Sequence, residues 1–330
     1  MKTVRIASKM MLSGEYAVLS ARGEAVAMGT APGFVMTGEE GAADSVDLPD
    51  LKPAERSGAR RFVEASLRQV QAWLQKSSGT KRPQLALSFR REGREAEVSG
   101  GSAALCIGAT ACALELAGHA ATPQRLLELA GAAHCEAQGG GSGYDIATQV
   151  YGGLVHFVPQ SPATSGAGGL VVAEQSRRTG FAGHLVWAHS GVPAPTATML
   201  SRFENALQDP LFAKVLDRHA AASRNLGRLL FQSGWCPELA NAVERANETL
   251  QLLDEAGSLG VFTAGIRHLI ACAQKTGFPA RVSGAGGGDR VVGFAPASDA
   301  ASRLVDAWRG AGFVAGVVVP GTALSVIPTA

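Results

Sequence analysis

Asp145 opens a largely apolar stretch, 144–151, directly after the glycine-rich run 139–143. A carboxylate so placed can accept a hydroxyl proton or help hold Mg²⁺. It can equally be a first-turn charge facing the positive end of a helix. Lys9 and Glu15 bracket the run Met10-Met11-Leu12-Ser13-Gly14. They are either solvated ends of an apolar segment or, for Lys9, a cation able to meet Asp145. In that position it would lower the pKa of Asp145 or stabilise a transferred phosphoryl group. Two more glycine segments stand apart from these, Ser99-Gly100-Gly101-Ser102 and Ser283-Gly284-Ala285-Gly286-Gly287-Gly288-Asp289. Successive backbone N–H groups can bind phosphate where glycine lets the chain approach, and a helix starting there adds its positive end. A glycine turn before a packed helix is the plainer reading of the first. A hairpin, which needs only one or two glycines, is the plainer reading of the second. Neither GxxxxGK[ST] nor GxGxxG occurs, so these are not a Walker loop or a dinucleotide fingerprint.

Elements to position these groups can be read on either side of them. Residues 3–7 alternate and read as a strand. Residues 16–19 and 25–28 flank Ala21-Arg22-Gly23-Glu24 as a hairpin, and 34–37 read as a further strand. The acidic stretch 39–53 reads as a surface loop. Apolar residues at Phe62, Ala65, Leu67, Val70, Trp73 and Leu74 give 59–75 a helical stripe. Residues 84–89 read as a strand. The turn 99–102 feeds an Ala- and Leu-rich buried helix, 103–116. Thr122-Pro123 is a cap and first-turn pair for a helix to about residue 138. A strand at 154–158 precedes 159–169, the best linker in the chain. Beyond it, 170–173 and 184–188 read as strands, and 196–275 as mostly helical with breaks near 233–237 and 257–260. The end reads strand (281–283), glycine loop, strand (291–294), helix (298–310) and two strands. Interleaved strands and helices in both halves predict an α+β protein of two lobes.

The 330 residues, 46% of them hydrophobic, suffice for such a core. A net charge of +2 without a long Lys/Arg run argues against nucleic acid or a membrane surface as partner and leaves a small molecule. Cys106, Cys112, Cys135, Cys236 and Cys272 are odd in number and show no CxxC spacing. A disulfide framework or structural zinc is therefore not expected, and a reducing cytoplasm suits the chain. The first residues lack a signal-peptide layout, and 146–173 are too interrupted to span a membrane.

Together the segments resemble a known family, the GHMP kinases (galactokinase, homoserine kinase, mevalonate kinase, phosphomevalonate kinase). KMMLSGEYAVL at 9–19 resembles the first family motif, and SGGSAA at 99–104 is similar to the second, usually GLGSSAA. Residues 283–289 resemble the third. AHCEAQGGGSGYDIATQVYGG at 133–153 resembles the pattern AHxxAQGxxGSGxDxxxxxYG of the phosphomevalonate kinase branch. VWAHSGVPAPT at 186–196 resembles GWTGxPAST, with Pro195 where Ser is usual. The resemblance implies a ribosomal protein S5 domain 2-like lobe over 1–165 and a ferredoxin-like lobe over 166–330. Between them it implies ATP and Mg²⁺ as cofactors and phosphomevalonate as the acceptor that becomes diphosphomevalonate. Mevalonate is the alternative acceptor, and a non-catalytic metabolite-binding relative is the alternative class. Asp145 and Lys9 then match the catalytic pair. Gly100, Gly101, Ser102 and Ala103 match the triphosphate loop, with Ser102 also at the metal, and Gly284, Ala285, Gly286 and Gly287 close the site. Glu15, Tyr16, Ser142, Gly143, Thr196 and Gly288 fall on the acceptor side. Arg5, Arg90, Arg91, Arg202 and Arg281 are the basic residues considered for the acceptor's phosphate. The chain departs from the family where Val98-Ser99 replace Gly-Leu, Gly101 replaces the first serine, and Asp289-Arg290 replace Asp-Cys.

Overall fold

The computed structural model describes residues 1–20, 23–159, 170–175, 181–192, 196–288 and 290–328, with the backbone alone for 170–175, 196, 197 and 328. The first lobe is built on β1 (Lys2–Ser13) and β2 (Ala25–Glu40), which pair antiparallel along most of their length. β3 (Ser45–Asp47) and β4 (Leu85–Arg91) extend that sheet, β5 (Leu154–Pro159) also pairs with β2, and β6 (Leu170–Gln175) pairs with β5. Helices α1 (Pro53–Ser78), α2 (Gly101–Leu116), α3 (Pro123–Gln138) and α4 (Tyr144–Tyr151) complete the lobe. Every residue of α2 from Ala103 to Leu114 is buried. A helix apolar on all sides has no solvent face, and α2 packs against β1, β2, α1 and α3 as the centre of the lobe. Its N-terminus is thereby held still.

The second lobe is a four-stranded antiparallel sheet of β7 (His184–His189), β8 (Ala280–Ser283), β9 (Arg290–Ala295) and β10 (Val314–Val317), in the order β10-β7-β9-β8. Between β7 and β8 run α5 (Thr196–Ala206), α6 (Pro210–Gln232), α7 (Glu238–Gly257) and α8 (Ala264–Lys275). α9 (Ser298–Gly310) joins β9 to β10. That order and connection are the split βαβ arrangement of a ferredoxin-like lobe, as expected. Two short final strands, β11 (Val319–Pro320) and β12 (Ser325–Pro328), return to β2 and β1 of the first sheet. A third apolar cluster seals the lobes together, with Met10, Leu12, Met28 and Leu154 of the first meeting Leu185, Trp187, Leu226, Leu230 and Phe294 of the second.

Several expected bounds change. The segments 25–28 and 34–37 are one strand, because Pro32 lies where β1 shifts register between Ile6 and Ser8, not at a strand end. Residues 16–19 do not form a hairpin strand. Ala17–Leu19 is a single 3₁₀ turn after Tyr16, and the hairpin partner of β2 is β1. Part of the expected loop 39–53 is sheet, the end of β2 and β3. α1 begins at Pro53, where the Glu55 carboxylate accepts the Lys52 N–H at 3.1 Å. The Thr122 cap is in place, its hydroxyl accepting the Arg125 N–H at 3.4 Å. Of the expected linker 159–169, Pro159 ends β5, and 160–169, with the lobe boundary at 165, lie outside the described residues, as do Ala21, Arg22, Pro195 and Asp289. All five cysteines are unpaired. No helix among the described residues is long and apolar enough to cross a membrane.

Candidate active site

A cleft of about 430 Å³ lies where β1, the N-termini of α2 and α4, and the end of β8 meet. Gly100 caps α2 with φ +88°, and Gly143 caps α4 with φ +80°. Left-handed backbone at both caps favours glycine, and it turns the chain so that each helix starts at the cleft wall. Ser102 and Asp145 therefore sit in first turns whose N-terminal ends face the same space.

Lys9 comes from the middle of β1. Its ammonium donates to the Tyr144 hydroxyl and lies 4.8 Å from that ring's centroid. Burial pushes the Tyr144 phenol up, with Lys9 opposing, so the phenol stays neutral. Asp145 follows directly in sequence and lines the cleft with Lys9. Its Oδ1 accepts the Ile146 N–H at 2.9 Å, while Oδ2 lies 3.6 Å from His134 Nε2. The same His134 nitrogen is 3.1 Å from Ser102 Oγ. His134 is 3% exposed and stacked on Phe62. It ties together the hydroxyl of the second motif and the carboxylate of the fourth helix. Sequence reading gave His134 no role, although it lies inside the matched segment 133–153.

Most of the expected residues converge here. Lys9, Tyr16, Gly100, Gly101, Ser102, Ser142, Gly143, Asp145, Gly284 and Ala285 line the cleft, and Leu200 of α5 reaches it. Ala103 is fully buried inside α2, behind the wall. Thr196 starts α5, and its side chain lies outside the described residues. Gly286, Gly287 and Gly288 face neighbours in the second lobe instead of lining the cleft. The Asp254 carboxylate accepts N–H groups from Gly260, Val261 and Phe262, fixing that loop. Val261 O then accepts the Gly287 N–H at 3.0 Å. A Cβ on Gly286 would stand 2.5 Å from Val261, and one on Gly288 2.9 Å from Val192 O.

Glu15 borders the cleft, and its carboxylate is buried against the second lobe. It pairs with Arg281 at 2.5 Å, and both side chains are fully buried. Arg281 also donates to Leu12 O at 2.6 Å. A carboxylate in that position needs a cation, and the second lobe supplies it. Tyr16 has φ +57°, an uncommon conformation for a ring-bearing residue, and donates its hydroxyl to Ala285 O at 2.7 Å. Burial raises its phenol pKa well above the ordinary value. Tyr16 thus holds the third glycine loop against the first lobe. The arginines considered for an acceptor phosphate lie elsewhere. Arg281 is paired, Arg202 donates to Ser258 O and Leu259 O, and none of the five lines the cleft. The cleft does have an arginine, Arg61 of α1, whose guanidinium lies 5.1 Å from the Phe62 ring centroid. Nothing in its local sequence distinguishes Arg61 from the other charges of α1.

Comparison with known proteins agrees with this geometry. The sequence model for the GHMP kinase N-terminal domain matches residues 77–153, and that for the GHMP kinase C-terminal region matches 237–314. The phosphomevalonate kinase of Streptomyces sp. (strain CL190) is 25% identical, covering 92% of this chain and 93% of that protein. The Lin0012 protein of Listeria innocua superposes with a TM-score of 0.82 at 19% identity, over 99% of each chain. Streptococcus pneumoniae phosphomevalonate kinase, solved in complex with phosphomevalonate and AMPPNP, superposes with a TM-score of 0.76 at 16% identity, over 96% of this chain and 99% of that one. Mevalonate kinases and a galactokinase share the fold as well. With both domain matches in order and three motifs on one cleft, the chain belongs to the GHMP kinase family.

Proposed function

We propose that the chain transfers the γ-phosphoryl group of ATP to phosphomevalonate, giving diphosphomevalonate and ADP. The observation that carries this reading is the meeting of Lys9, Asp145 and the glycine-capped start of α2 on one cleft. Phosphoryl transfer asks chiefly for positioning and charge neutralisation. The α2 N-terminus offers N–H groups and a positive end to the triphosphate. Lys9 offers a cation to the charge on the transferred group.

The acceptor's own phosphate is the nucleophile. One of its oxygens bonds to the γ-phosphorus while the bond to the β–γ bridging oxygen breaks. An anionic oxygen needs no proton removed, so Asp145 acts by orientation and electrostatics, with its carboxylate steadied by the Ile146 N–H. Arg61 is the cation at the cleft placed to meet an acceptor phosphate, which a mevalonate acceptor would lack. The phosphomevalonate kinase relatives support the same choice.

The donor set fits Mg²⁺. Ser102 Oγ and Asp145 Oδ2 are both within reach of His134 Nε2, and no cluster of three or more His, Cys, Asp or Glu occurs among the described residues. Two protein oxygens with phosphate and water completing the shell are what Mg²⁺ ordinarily takes in such sites. When bound, it neutralises phosphate charge. Five unpaired thiols suit a reducing cytoplasm.

The test is ADP release measured with phosphomevalonate and mevalonate side by side. ADP with phosphomevalonate alone is expected. Turnover of mevalonate alone refutes the acceptor, and no turnover of either by folded, ATP-binding protein supports a non-catalytic relative.

A further inference from the structure

We propose that Arg290 is a positioning residue of the nucleotide site, a latch by which the second lobe holds the backbone entering the phosphate-binding turn. Arg290 is the first residue of β9, immediately beyond the third glycine loop, and is 4% exposed. Its guanidinium crosses into the first lobe. One terminal nitrogen donates to Val98 O at 2.5 Å and the other approaches Glu97 O at 3.4 Å. Those carbonyls belong to the two residues directly before Ser99-Gly100-Gly101-Ser102. The guanidinium also lies 5.7 Å from the centroid of the Trp187 ring on β7.

The same backbone is gripped from the opposite side by β1. Ser8 Oγ accepts the Ser99 N–H at 2.6 Å and donates to Ser99 O at 3.0 Å. The Lys9 N–H also donates to Ser99 O, at 3.3 Å. Residues 97–99 are therefore fixed from both lobes just before Gly100 turns the chain into α2. A buried guanidinium is costly unless its donors are used, and a charged donor makes a stronger bond to a carbonyl than a neutral one. Within the seam, Arg290 works beside two further donors to first-lobe carbonyls. Ser283 Oγ, its partner across the β8–β9 ladder, donates to Met11 O at 2.9 Å, and Arg281 donates to Leu12 O. Of these three, Arg290 alone grips the two residues that lead into the turn.

The residue types fit this role. Val98, Ser99 and Arg290 all stand where the family pattern has other residues, Gly, Leu and Cys. A cysteine at 290 could not span to Val98 O. The phosphate turn departs from the family pattern, and Arg290 holds the backbone of the departing segment. The consequence is coupling: the N–H groups of the turn are set only while β9 is docked against the first lobe.

This inference rests on the reading that the turn takes the nucleotide's phosphates, and the experiment separates the two. Arg290→Met and Arg290→Lys are compared with the native protein by amide hydrogen exchange and by calorimetric titration with Mg·AMPPNP, with no acceptor present. Exchange across 97–104 should quicken in both variants while the rest of the chain holds, and AMPPNP affinity should fall about tenfold in Arg290→Met, the worth of a charged hydrogen bond. The fall should be smaller in Arg290→Lys, which keeps the charge but has one donor head. Native-like exchange at 97–104 in a folded variant overturns the latch whatever the affinity does. Faster exchange throughout the chain also overturns it, since the role would then be general stability. If Arg290→Met does not fold, Arg290→Lys decides on the same terms. A native protein that binds no AMPPNP faults the nucleotide reading, and the exchange measurement still decides the latch.

Discussion

Replacing Glu15 by Gln removes one charge from a fully buried pair and leaves the Arg281 guanidinium with neutral acceptors only, the new amide oxygen and Leu12 O, among its described partners. The Arg281 Nε already has no hydrogen-bond partner. Breaking a buried ion pair on one side leaves an uncompensated charge and typically costs about 3–5 kcal/mol, far more than an exposed pair is worth. Arg281→Met should cost a similar amount, because the stranded Glu15 carboxylate must then protonate or draw in water. The double variant Glu15→Leu/Arg281→Met removes both charges and should recover most of the loss, so the two single effects will not add. Urea unfolding followed by tryptophan fluorescence reads this directly. Steady-state kinetics on the folded protein reads the rival role. A carboxylate that bound acceptor or metal would show in kcat/KM with stability nearly untouched. A lobe-to-lobe pair shows the reverse. Glu15→Gln that loses under about 1 kcal/mol while turnover collapses would falsify the pairing argument and return Glu15 to the acceptor.

Three further outcomes follow from the cleft and its seam. Asp145→Asn keeps the shape and the Ile146 contact but removes the charge, and kcat should drop roughly 10²–10³-fold with protein that still melts normally; near-native turnover would refute the role. Arg61→Gln should raise KM for phosphomevalonate about tenfold and leave AMPPNP affinity unchanged, and equal effects on both would remove Arg61 from the acceptor side. His219 is fully buried, its pKa lowered to about 4 by burial and then by the Arg281 charge, and it donates to Glu15 O at 2.9 Å. Because its folded pKa lies below the unfolded value, the unfolded chain takes up a proton first. Stability should be unaffected above about pH 6.5 and fall by about 3 kcal/mol as pH drops from there to about 4. Urea midpoints across that window test it, and His219→Gln should flatten the fall.

Local signals made much of the site readable. Gly100 and Gly143 have to be glycine because the chain turns there with positive φ, and the residues that follow, Ser102 and Asp145, inherit their positions from those turns. Thr122-Pro123 announced α3 for the same local reason. What the sequence hides is whatever spans the lobes. Glu15 and Arg281 are 266 residues apart, and no periodicity or spacing links them. Arg290 and Val98 are hidden in the same way. His134 is an intermediate case, close to Asp145 in the chain but given meaning only by the crossing of α3 over the start of α2. The strands expected at 25–28 and 34–37 are one long β2, and only the partner's register shift shows how the ladder passes Pro32.

Glycine itself is ambiguous until the structure shows what approaches it. At Gly286 and Gly288 the approaching atoms are Val261 and Val192, so packing alone requires those residues to be small. At Gly100 a Cβ would press on the Lys9 stem at 2.9 Å and on Gln149 at 3.0 Å, so that glycine serves both the turn and the placement of Lys9. At Gly101 a Cβ would meet only the Phe34 ring, 3.8 Å away at nearest. Backbone space is thus open at the one position where this chain lacks the family's first motif-two serine. The missing hydroxyl is not forced by the fold. It is a difference in the chemistry offered to the phosphates, and it sits in the same turn whose incoming backbone Arg290 holds.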